Sequence, residues 1–146
     1  MNKTRSFIRF ALNGEIQEVS GADCFLMLAD YLRKKRGLTG TKVVCAEGDC
    51  GACTVLKAFA LKGQEPRFRT INACIALLAQ LDGAHVVTVE GLADEGGALS
   101  PVQAALVQHH GSQCGYCTPG IVVSLSGLLN ECHEVPSIRQ VKNCLT

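Results

Sequence analysis

Cysteine is the residue type with the clearest chemical pattern in this sequence. The 146 residues include nine cysteines, and four of them have a distinctive spacing. Four residues separate Cys45 from Cys50, two separate Cys50 from Cys53, and a further twenty lead to Cys74. A C-x4-C-x2-C run followed by a distant fourth cysteine is typical of the thiolate ligands of a plant-type [2Fe–2S] cluster. The spacing therefore predicts an iron–sulfur site and one-electron chemistry.

The residues between these cysteines suit a negatively charged cluster. An oxidised [2Fe–2S] core with four thiolates carries a net charge of about −2, which is costly to bury unless dipoles face it. Gly48 and Gly51 allow backbone N–H groups to turn towards the sulfur atoms and form an anion-binding concavity. Ala46 and Ala52 add no bulk to the loop. Hydrogen bonds to the sulfur atoms would also tune the reduction potential.

Zinc bound by four thiolates is the alternative interpretation of the same cysteines. Zinc sites commonly combine two C-x2-C pairs. Here a C-x4-C arm and the isolated Cys74 stand in place of the second pair. The spacing therefore favours iron and sulfide over zinc. Glu47 and Asp49 are predicted to be surface charges at the rim of the loop, where they could face a partner, rather than ligands.

A second cysteine pair, Cys114 and Cys117, lies in the later part of the chain. Cys117 is expected just before a helix N-terminus, where the helix dipole favours a thiolate. By itself the pair fits a redox dithiol, half of a zinc site or half of an iron–sulfur site. By their spacing alone, Cys132 and His133 would complete a four-ligand zinc site with this pair, but we expect Cys132 to lie at a helix end and His133 to be in solvent.

Composition and charge exclude several classes of function. Hydrophobic residues make up 47% of the sequence and charged residues 18%, which is typical of a globular protein. The formal net charge is +1, too small to attract nucleic acid or an anionic membrane, so neither is an expected partner. No apolar run approaches the roughly 18 residues of a membrane span. An odd number of cysteines without an export signal predicts reduced thiols, metal ligation and a cytoplasmic location.

The first ninety residues have the pattern of strands, one helix and a loop. Asn13-Gly14 is a strong two-residue turn signal, so a hairpin is predicted over residues 6–20. Asp23 is a plausible N-cap of a helix that would end at Gly37 and whose apolar positions are Phe25, Leu28, Ala29 and Leu32. Residues 41–53 break this periodicity and predict a loop. Further strands are predicted at Thr54–Leu61, Phe68–Ile71 and His85–Val89, with a turn at 63–66.

The remainder of the chain has a helical pattern. Residues 91–99 contain glycine and acidic residues and are interpreted as a linker. Ser100 and Thr118 each precede a proline, as residues at helix N-termini do, and Ser137 could cap a third helix. This order of elements predicts an α+β fold. A β-grasp domain would cover residues 1–90, and a small all-α helical bundle would cover residues 91–146.

Four segments of the sequence resemble the iron–sulfur module of the molybdenum hydroxylases, which carries two [2Fe–2S] clusters. They occur in the same order over nearly the whole chain, and they are Cys45–Cys53, Asn72–Ile75, Thr88–Leu92 and Gln113–Gly120. Three stretches are most similar to the small subunit of bacterial xanthine dehydrogenase, namely Gly40–Lys42, Cys45–Cys50 and His110–Cys117. Aldehyde oxidases and carbon monoxide dehydrogenases share much of this pattern.

The resemblance implies a ferredoxin-like β-grasp domain and a helical domain, with one [2Fe–2S] cluster in each. Cys114 and Cys117 match two ligands of the helical cluster. Gln113 matches a position that faces the pterin cofactor, although a loop or capping amide is an equally good interpretation of this residue. Electrons would pass from a molybdopterin centre through both clusters to FAD. The implied partners are the domains or subunits that bind molybdopterin and FAD.

The sequence departs from this family near its C-terminal end. The family completes its second cluster with a Cys-x-Cys pair after the third helix of the bundle, whereas here the cysteine near that position is Cys144, which we expect to pack in the interior. Two of four ligands are then present, and truncation of the sequence is favoured over ligands supplied elsewhere or an absent cluster. The predicted function is electron transfer without substrate chemistry. The alternatives are a stand-alone ferredoxin-like carrier with a helical docking extension, and a zinc-stabilised interaction module.

Overall fold

A five-stranded mixed sheet organises the first part of the chain. The computed structural model describes residues 5–59, 66–94, 96–132 and 134–145. The strands are β1 Phe7–Leu12, β2 Glu15–Ser20, β3 Thr54–Phe59, β4 Arg69–Asn72 and β5 Ala84–Val87. Their order across the sheet is β2-β1-β5-β3-β4, with β1 and β5 parallel and the other three pairs antiparallel. This is the β-grasp arrangement that the order of elements predicted.

The β1–β2 hairpin follows from its two turn residues. Asn13 and Gly14 have φ values of 50° and 87°, the left-handed backbone that a two-residue type I′ turn requires. The Asn13 side chain also reaches the end of β5: its Nδ2 donates to Thr88 Oγ1 at 3.0 Å, and its Oδ1 accepts from Thr88 N at 2.9 Å. The predicted hairpin is therefore confirmed, and its turn ties the first two strands to the last one.

The helix that crosses the sheet begins later than the sequence suggested. Asp23 is not its N-cap, because Asp23 lies within a preceding 3-10 turn and its carboxylate pairs with Lys35 at 3.0 Å. Residues 26 and 27 are extended, and Met27 forms a β-bridge with Leu77, which separates the turn from the helix. The bounds are Gly21–Phe25 for the 3-10 turn, Leu28–Asp30 for α1 and Tyr31–Lys35 for the π-turn that continues α1.

The hydrophobic core lies between α1 and the sheet. The Phe10 ring contacts the Tyr31 ring edge-on, with 5.9 Å between the ring centres. Phe25 is 73% exposed and is not on the buried face where the helical spacing placed it, because it belongs to the 3-10 turn. Burial of each large apolar side chain stabilises the fold by roughly 1.5–3 kcal/mol. The members of this core that are at most 1% exposed include Phe10, Leu28, Leu32, Val55, Leu78, Leu81 and Val86.

Three helices follow the sheet. Ser100 and Ser137 each accept the backbone N–H of the glutamine three residues later, so both predicted caps are confirmed. The N-cap of the middle helix is Cys117 rather than Thr118, whose hydroxyl lies 2.9 Å from that of Ser112. Within the described part of the chain, no helix is long and apolar enough to cross a membrane. The helices are α2 Pro101–Gln108, α3 Thr118–Glu131 and α4 Ile138–Asn143.

The remaining predicted strands are confirmed with small shifts. β3 ends at Phe59, and the predicted continuation over residues 60 and 61 lies outside the described residues, as do residues 63–65 of the predicted turn. β4 is displaced by one residue. β5 ends before the predicted Val89, because Val89–Leu92 form a 3-10 turn. With α2–α4 following the sheet, the α+β fold class is confirmed.

Candidate metal centre

The loop over residues 41–53 connects the end of α1 to β3 and carries three of the four cysteines with the distinctive spacing. β3 fixes one end of the loop, because Thr54 donates to the Gly51 carbonyl from its backbone N–H at 3.1 Å and from its hydroxyl at 2.7 Å. Lys42 N donates to the Ala52 carbonyl at 3.4 Å, which joins the start of the loop to its end. The loop therefore closes on itself, and we refer to it below as the cysteine loop.

Left-handed backbone at three positions gives the cysteine loop its shape. The φ values are 59° at Ala46, 84° at Gly48 and 69° at Gly51. The Gly48 carbonyl accepts a hydrogen bond from the side-chain amide of Asn72. A Cβ at Gly48 would lie 2.5 Å from Cδ1 of Ile75, the residue that follows Cys74. The loop therefore packs closely against the segment that carries Cys74, and a glycine at position 48 leaves room for this contact.

Backbone N–H groups surround the sulfur atom of Cys45. The Cys50 N–H lies 3.5 Å from Cys45 Sγ. The N–H groups of Cys50, Glu47 and Asp49 lower the pKa of the Cys45 thiol to about 6, because each of them stabilises the thiolate by a hydrogen bond. The concavity predicted from the glycines is therefore present, and its centre is Cys45.

The four cysteines form two pairs at different depths. Cys50 is exposed and Cys45 is half-buried, and their side chains are hydrogen-bonded near the surface. Cys53 and Cys74 are 2% and 7% exposed, and Cys74 N donates to Cys53 Sγ at 3.4 Å. Burial raises the pKa of Cys74 to about 11, with smaller contributions from Cys53 and from the charge of Cys45. These interactions join all four thiols into one electrostatic group.

This donor set fits a [2Fe–2S] cluster. Two pairs of thiols offer two thiolates to each of two irons, and the N–H groups around Cys45 face the sulfur that would carry negative charge. Metal binding would have to displace the proton that burial holds on Cys74. Among the described residues, no group of three or more His, Cys, Asp or Glu side chains is placed to hold a single metal ion.

The second cysteine pair lies in the loop between α2 and α3. Cys114 and Cys117 are both exposed, and the left-handed backbone at Gly115, with φ of 82°, turns the chain between them. Cys117 is the N-cap of α3, which agrees with its predicted place before a helix N-terminus. Gln113 is exposed immediately before the pair. The structure therefore groups the first four cysteines in one site and leaves these two as a separate surface pair.

The predicted zinc alternative for this pair is excluded by the length of α3. Cys132 is the C-cap of this helix and Cys117 is its N-cap. The 14 residues of α3 span about 21 Å at the usual rise per residue. A single ion cannot be shared across that distance. The predicted position of Cys132 at a helix end is confirmed, whereas His133 lies outside the described residues.

The helical part of the chain packs directly on the cysteine loop. Gly120 is buried in the first turn of α3, and a Cβ there would overlap the Gly51 carbonyl oxygen and lie 3.1 Å from Ala52 Cα. A few residues earlier, the Tyr116 hydroxyl donates to the Val43 carbonyl at 3.4 Å. The second cysteine pair is therefore held beside the first site and not on a detached segment.

A cleft of about 260 Å³ lies at this junction. Its lining includes Cys50 from the cysteine loop, Cys117 from the start of α3 and Cys144 from the end of α4. Burial raises the pKa of Cys144, in keeping with the packing role expected for it. The position of Cys144 beside the other two cysteines and the role of Gly120 were not predicted from the sequence. The only local signal was the Pro-Gly dipeptide at the start of α3.

Two family models match different parts of the chain. The model of a 2Fe-2S iron-sulfur cluster binding domain matches residues 10–79, and that of a [2Fe-2S] binding domain matches residues 88–146. The chain is 35% identical to quinoline 2-oxidoreductase from Pseudomonas putida 86, with a TM-score of 0.77 over 95% of this chain and 78% of that one. The chain belongs to the iron–sulfur modules of the molybdenum hydroxylases.

Larger enzymes contain such a module as a small part of their length. This iron–sulfur module is 41% identical to xanthine dehydrogenase 1 of Arabidopsis thaliana, over 92% of the module and 10% of that protein. It is 43% identical to aldehyde oxidase 2 of Cavia porcellus, over 93% of the module and 10% of that protein. The aldehyde oxidoreductase from Desulfovibrio gigas has a TM-score of 0.79 and 37% identity, over 94% of the module and 14% of that chain. The module thus spans about a tenth of the curated relatives.

Proposed function

We propose that this chain is the electron-transfer module of a molybdenum hydroxylase of the xanthine dehydrogenase type. It would relay electrons between a molybdopterin centre and FAD, both bound by other domains or subunits, and would perform no substrate chemistry itself. The observation that carries the proposal is the arrangement of four thiols as two pairs, formed by the cysteine loop and Cys74, with backbone N–H groups of the loop facing the Cys45 sulfur. Bound [2Fe–2S] clusters would supply the uptake and release of single electrons.

The first cluster site is assigned to Cys45, Cys50, Cys53 and Cys74. The backbone N–H groups around Cys45 stabilise the thiolate form, and hydrogen bonds of this kind also tune the reduction potential of a cluster. The exposed Cys50 puts one edge of the site at the protein surface. A partner that exchanges electrons with this chain can therefore approach the site without a conformational change.

The second cluster site is assigned in part to Cys114 and Cys117, with residues 1–90 and 91–146 as the two domains. Cys117 is the N-cap of α3, and the left-handed backbone at Gly115 turns the chain between it and Cys114. Gln113 is exposed beside the pair and is available to face a pterin cofactor held by a partner. A cytoplasmic location suits this function, because thiols that must bind iron are kept reduced there.

Metal analysis of the purified chain tests the proposal. We expect two irons and two acid-labile sulfides per chain, together with visible absorption. Cys50→Ser should lose most of the iron, because it removes one thiolate of the surface pair and metal binding is coupled to local folding. Cys132→Ser, at the end of α3, is the matched control and should retain the iron. One equivalent of zinc without visible absorption would contradict the proposal, as would a full iron content in Cys50→Ser.

Partner capture separates an enzyme module from a free carrier. The iron-loaded chain should co-purify with a subunit that binds FAD or molybdopterin when the two are produced together. The flavin or the pterin absorption of the isolated complex identifies that partner. A chain that remains alone and reduces a soluble acceptor supports the stand-alone ferredoxin-like carrier instead.

A further inference from the structure

Gly120 lies where α3 meets the cysteine loop, and the three atoms nearest to a Cβ there would all be backbone atoms of the loop. A Cβ at Gly120 would overlap the carbonyl oxygen of Gly51, and it would lie 3.2 Å from the carbonyl carbon of Gly51 and 3.1 Å from Ala52 Cα. No side chain is available to rotate away, so a larger residue at this position requires the helix or the loop to move.

The Gly51 peptide has little freedom to yield. Its carbonyl oxygen is already held by two hydrogen bonds from Thr54, at 3.1 Å from the backbone N–H and 2.7 Å from the hydroxyl. Gly51 is also bonded directly to Cys50 and lies two residues before Cys53. A displacement of this peptide is therefore transmitted to one thiol of each pair.

A second contact lies on the other side of both cysteine segments. The Tyr116 hydroxyl donates to the Val43 carbonyl at 3.4 Å. Cys117 is thus flanked by contacts at residues 116 and 120, and the segment Cys45–Cys50 is flanked by contacts at residues 43 and 51. One contact on each side of both segments fixes their separation and their relative orientation. Cys50 and Cys117 accordingly line the same cleft.

We propose that Gly120 is a positioning residue that sets the distance between the first cysteine site and Cys117. It does so because the absence of a side chain lets α3 rest on the Gly51 carbonyl. This inference rests on the proposed electron-transfer function. The covalent path from Cys117 to Gly120 reaches Gly51 and Cys50 across a single van der Waals contact. Electron tunnelling weakens steeply across a non-bonded gap, so opening this contact would slow electron exchange between the two sites.

Gly120→Ala in the iron-loaded chain tests this role, and Gly127→Ala is the matched control. Gly127 belongs to the same helix but faces β3 and β4, and a Cβ there meets only side-chain ends, at 3.0 Å from Leu56 Cδ2 and 3.3 Å from Thr70 Cγ2. Both substitutions change helix propensity in the favourable direction. A difference between the two variants therefore reports the backbone contact.

The first measurement is made on the cysteine loop itself. Disturbance of the groups that surround metal ligands typically weakens metal binding on the order of tenfold or more. We expect Gly120→Ala to release iron to a chelator faster than the unsubstituted chain by a factor of that size, with a shift in midpoint potential. Gly127→Ala should show neither change. Equal behaviour of the two variants would overturn the inference.

The second measurement reports the separation of the two sites. A nitroxide is attached to Cys117 in a chain whose other cysteines outside the first site are serine, at Cys24, Cys114, Cys132 and Cys144. Reduction of the first site makes it paramagnetic and speeds the relaxation of the nitroxide. Gly120→Ala should lower this enhancement, because α3 is pushed away from the loop, and Gly127→Ala should not. An unchanged enhancement in Gly120→Ala contradicts the proposal.

Tyr116→Phe is the second variant, for use if Gly120→Ala fails to fold. Tyr116 is 48% exposed, so loss of its hydroxyl does not disturb a core. The enhancement at Cys117 should fall as the contact with Val43 is lost, and no change would overturn the proposal. Failure of the proposed function would give a different result. An unsubstituted chain that binds no iron and sulfide would contradict the proposed function at metal analysis, before any variant is made.

Discussion

Two opposite substitutions in the cysteine loop should change stability in opposite directions. Ala46 has φ of 59° and Gly48 has φ of 84°. Left-handed backbone costs a residue with a Cβ roughly 1–2 kcal/mol relative to glycine. Ala46→Gly should therefore stabilise the folded chain, whereas Gly48→Ala should destabilise it. The positions are two residues apart in one loop, so each variant is a control for the other.

The magnitudes follow from the surroundings of each residue. For Ala46→Gly, the relief of strain is offset in part by the freedom that glycine adds to the unfolded chain, which leaves a net gain of about 0.5–1 kcal/mol. For Gly48→Ala, the same strain appears and the new methyl group would lie 2.5 Å from Cδ1 of Ile75. Ile75 is 53% exposed and can rotate away at some cost. The expected loss is about 2 kcal/mol.

Thermal unfolding of the iron-loaded chain, followed by circular dichroism and by visible absorption, measures both effects. For a chain of this size 1 kcal/mol shifts Tm by roughly 2–4 °C. Ala46→Gly should therefore raise Tm by about 2 °C and Gly48→Ala should lower it by about 6 °C. A lower Tm for Ala46→Gly, or an unchanged Tm for Gly48→Ala, would refute the backbone argument.

Three further substitutions test contacts elsewhere. Asn13→Ala should lower the free energy of unfolding in urea by about 2–3 kcal/mol, because it removes both hydrogen bonds to the fully buried Thr88 and puts alanine, which tolerates left-handed backbone less well than asparagine, at φ of 50°. A loss under about 0.5 kcal/mol would contradict this. The Arg9 N–H, followed by Arg5, holds the pKa of Asp82 below its usual value, so its charge stabilises the fold above about pH 4. Because the Asp82 side chain is 37% exposed, Asp82→Asn should lower the free energy of unfolding by at most about 0.5 kcal/mol at pH 7. The difference in Tm between the two proteins should vanish as the pH falls through the lowered pKa of Asp82. A difference that persists at low pH would refute the stabilising role of the Asp82 charge. Cys117→Ser should leave the iron content of the first site unchanged. Loss of that iron would contradict the assignment of Cys117 to the second cysteine pair.

Features that depend on neighbouring residues were predictable from the sequence. The Asn13-Gly14 turn and the caps at Ser100 and Ser137 act over two to four residues, and all three were confirmed. The cysteine loop was recognisable for the same reason, since its three cysteines and its glycines lie within one short segment. The family resemblance extended this interpretation to the second pair.

Features that depend on distant partners were not predictable. Asp23 was misassigned as a cap because its carboxylate is taken by Lys35, twelve residues later and on the next helical segment. The left-handed backbone at Ala46 runs against the preference of alanine. The requirement for glycine at position 120 depends on Gly51, which belongs to another part of the chain. Such contacts are decided by tertiary packing and leave no local pattern.

The parallel pairing of β1 with β5 determines when the sheet can close during synthesis. Ala11 pairs with His85 and Leu12 pairs with Val86. The edge of β1 that does not pair with β2 therefore stays uncovered until β5 has been made. All four cysteines from Cys45 to Cys74 precede β5 in the sequence. A nascent chain therefore passes through a stage at which every thiol of the site has been made but none is sheltered by the closed sheet. Thiols in that state are open to oxidation, and closure that joins distant segments is slow. Refolding under anaerobic conditions should therefore raise the yield of iron-loaded protein.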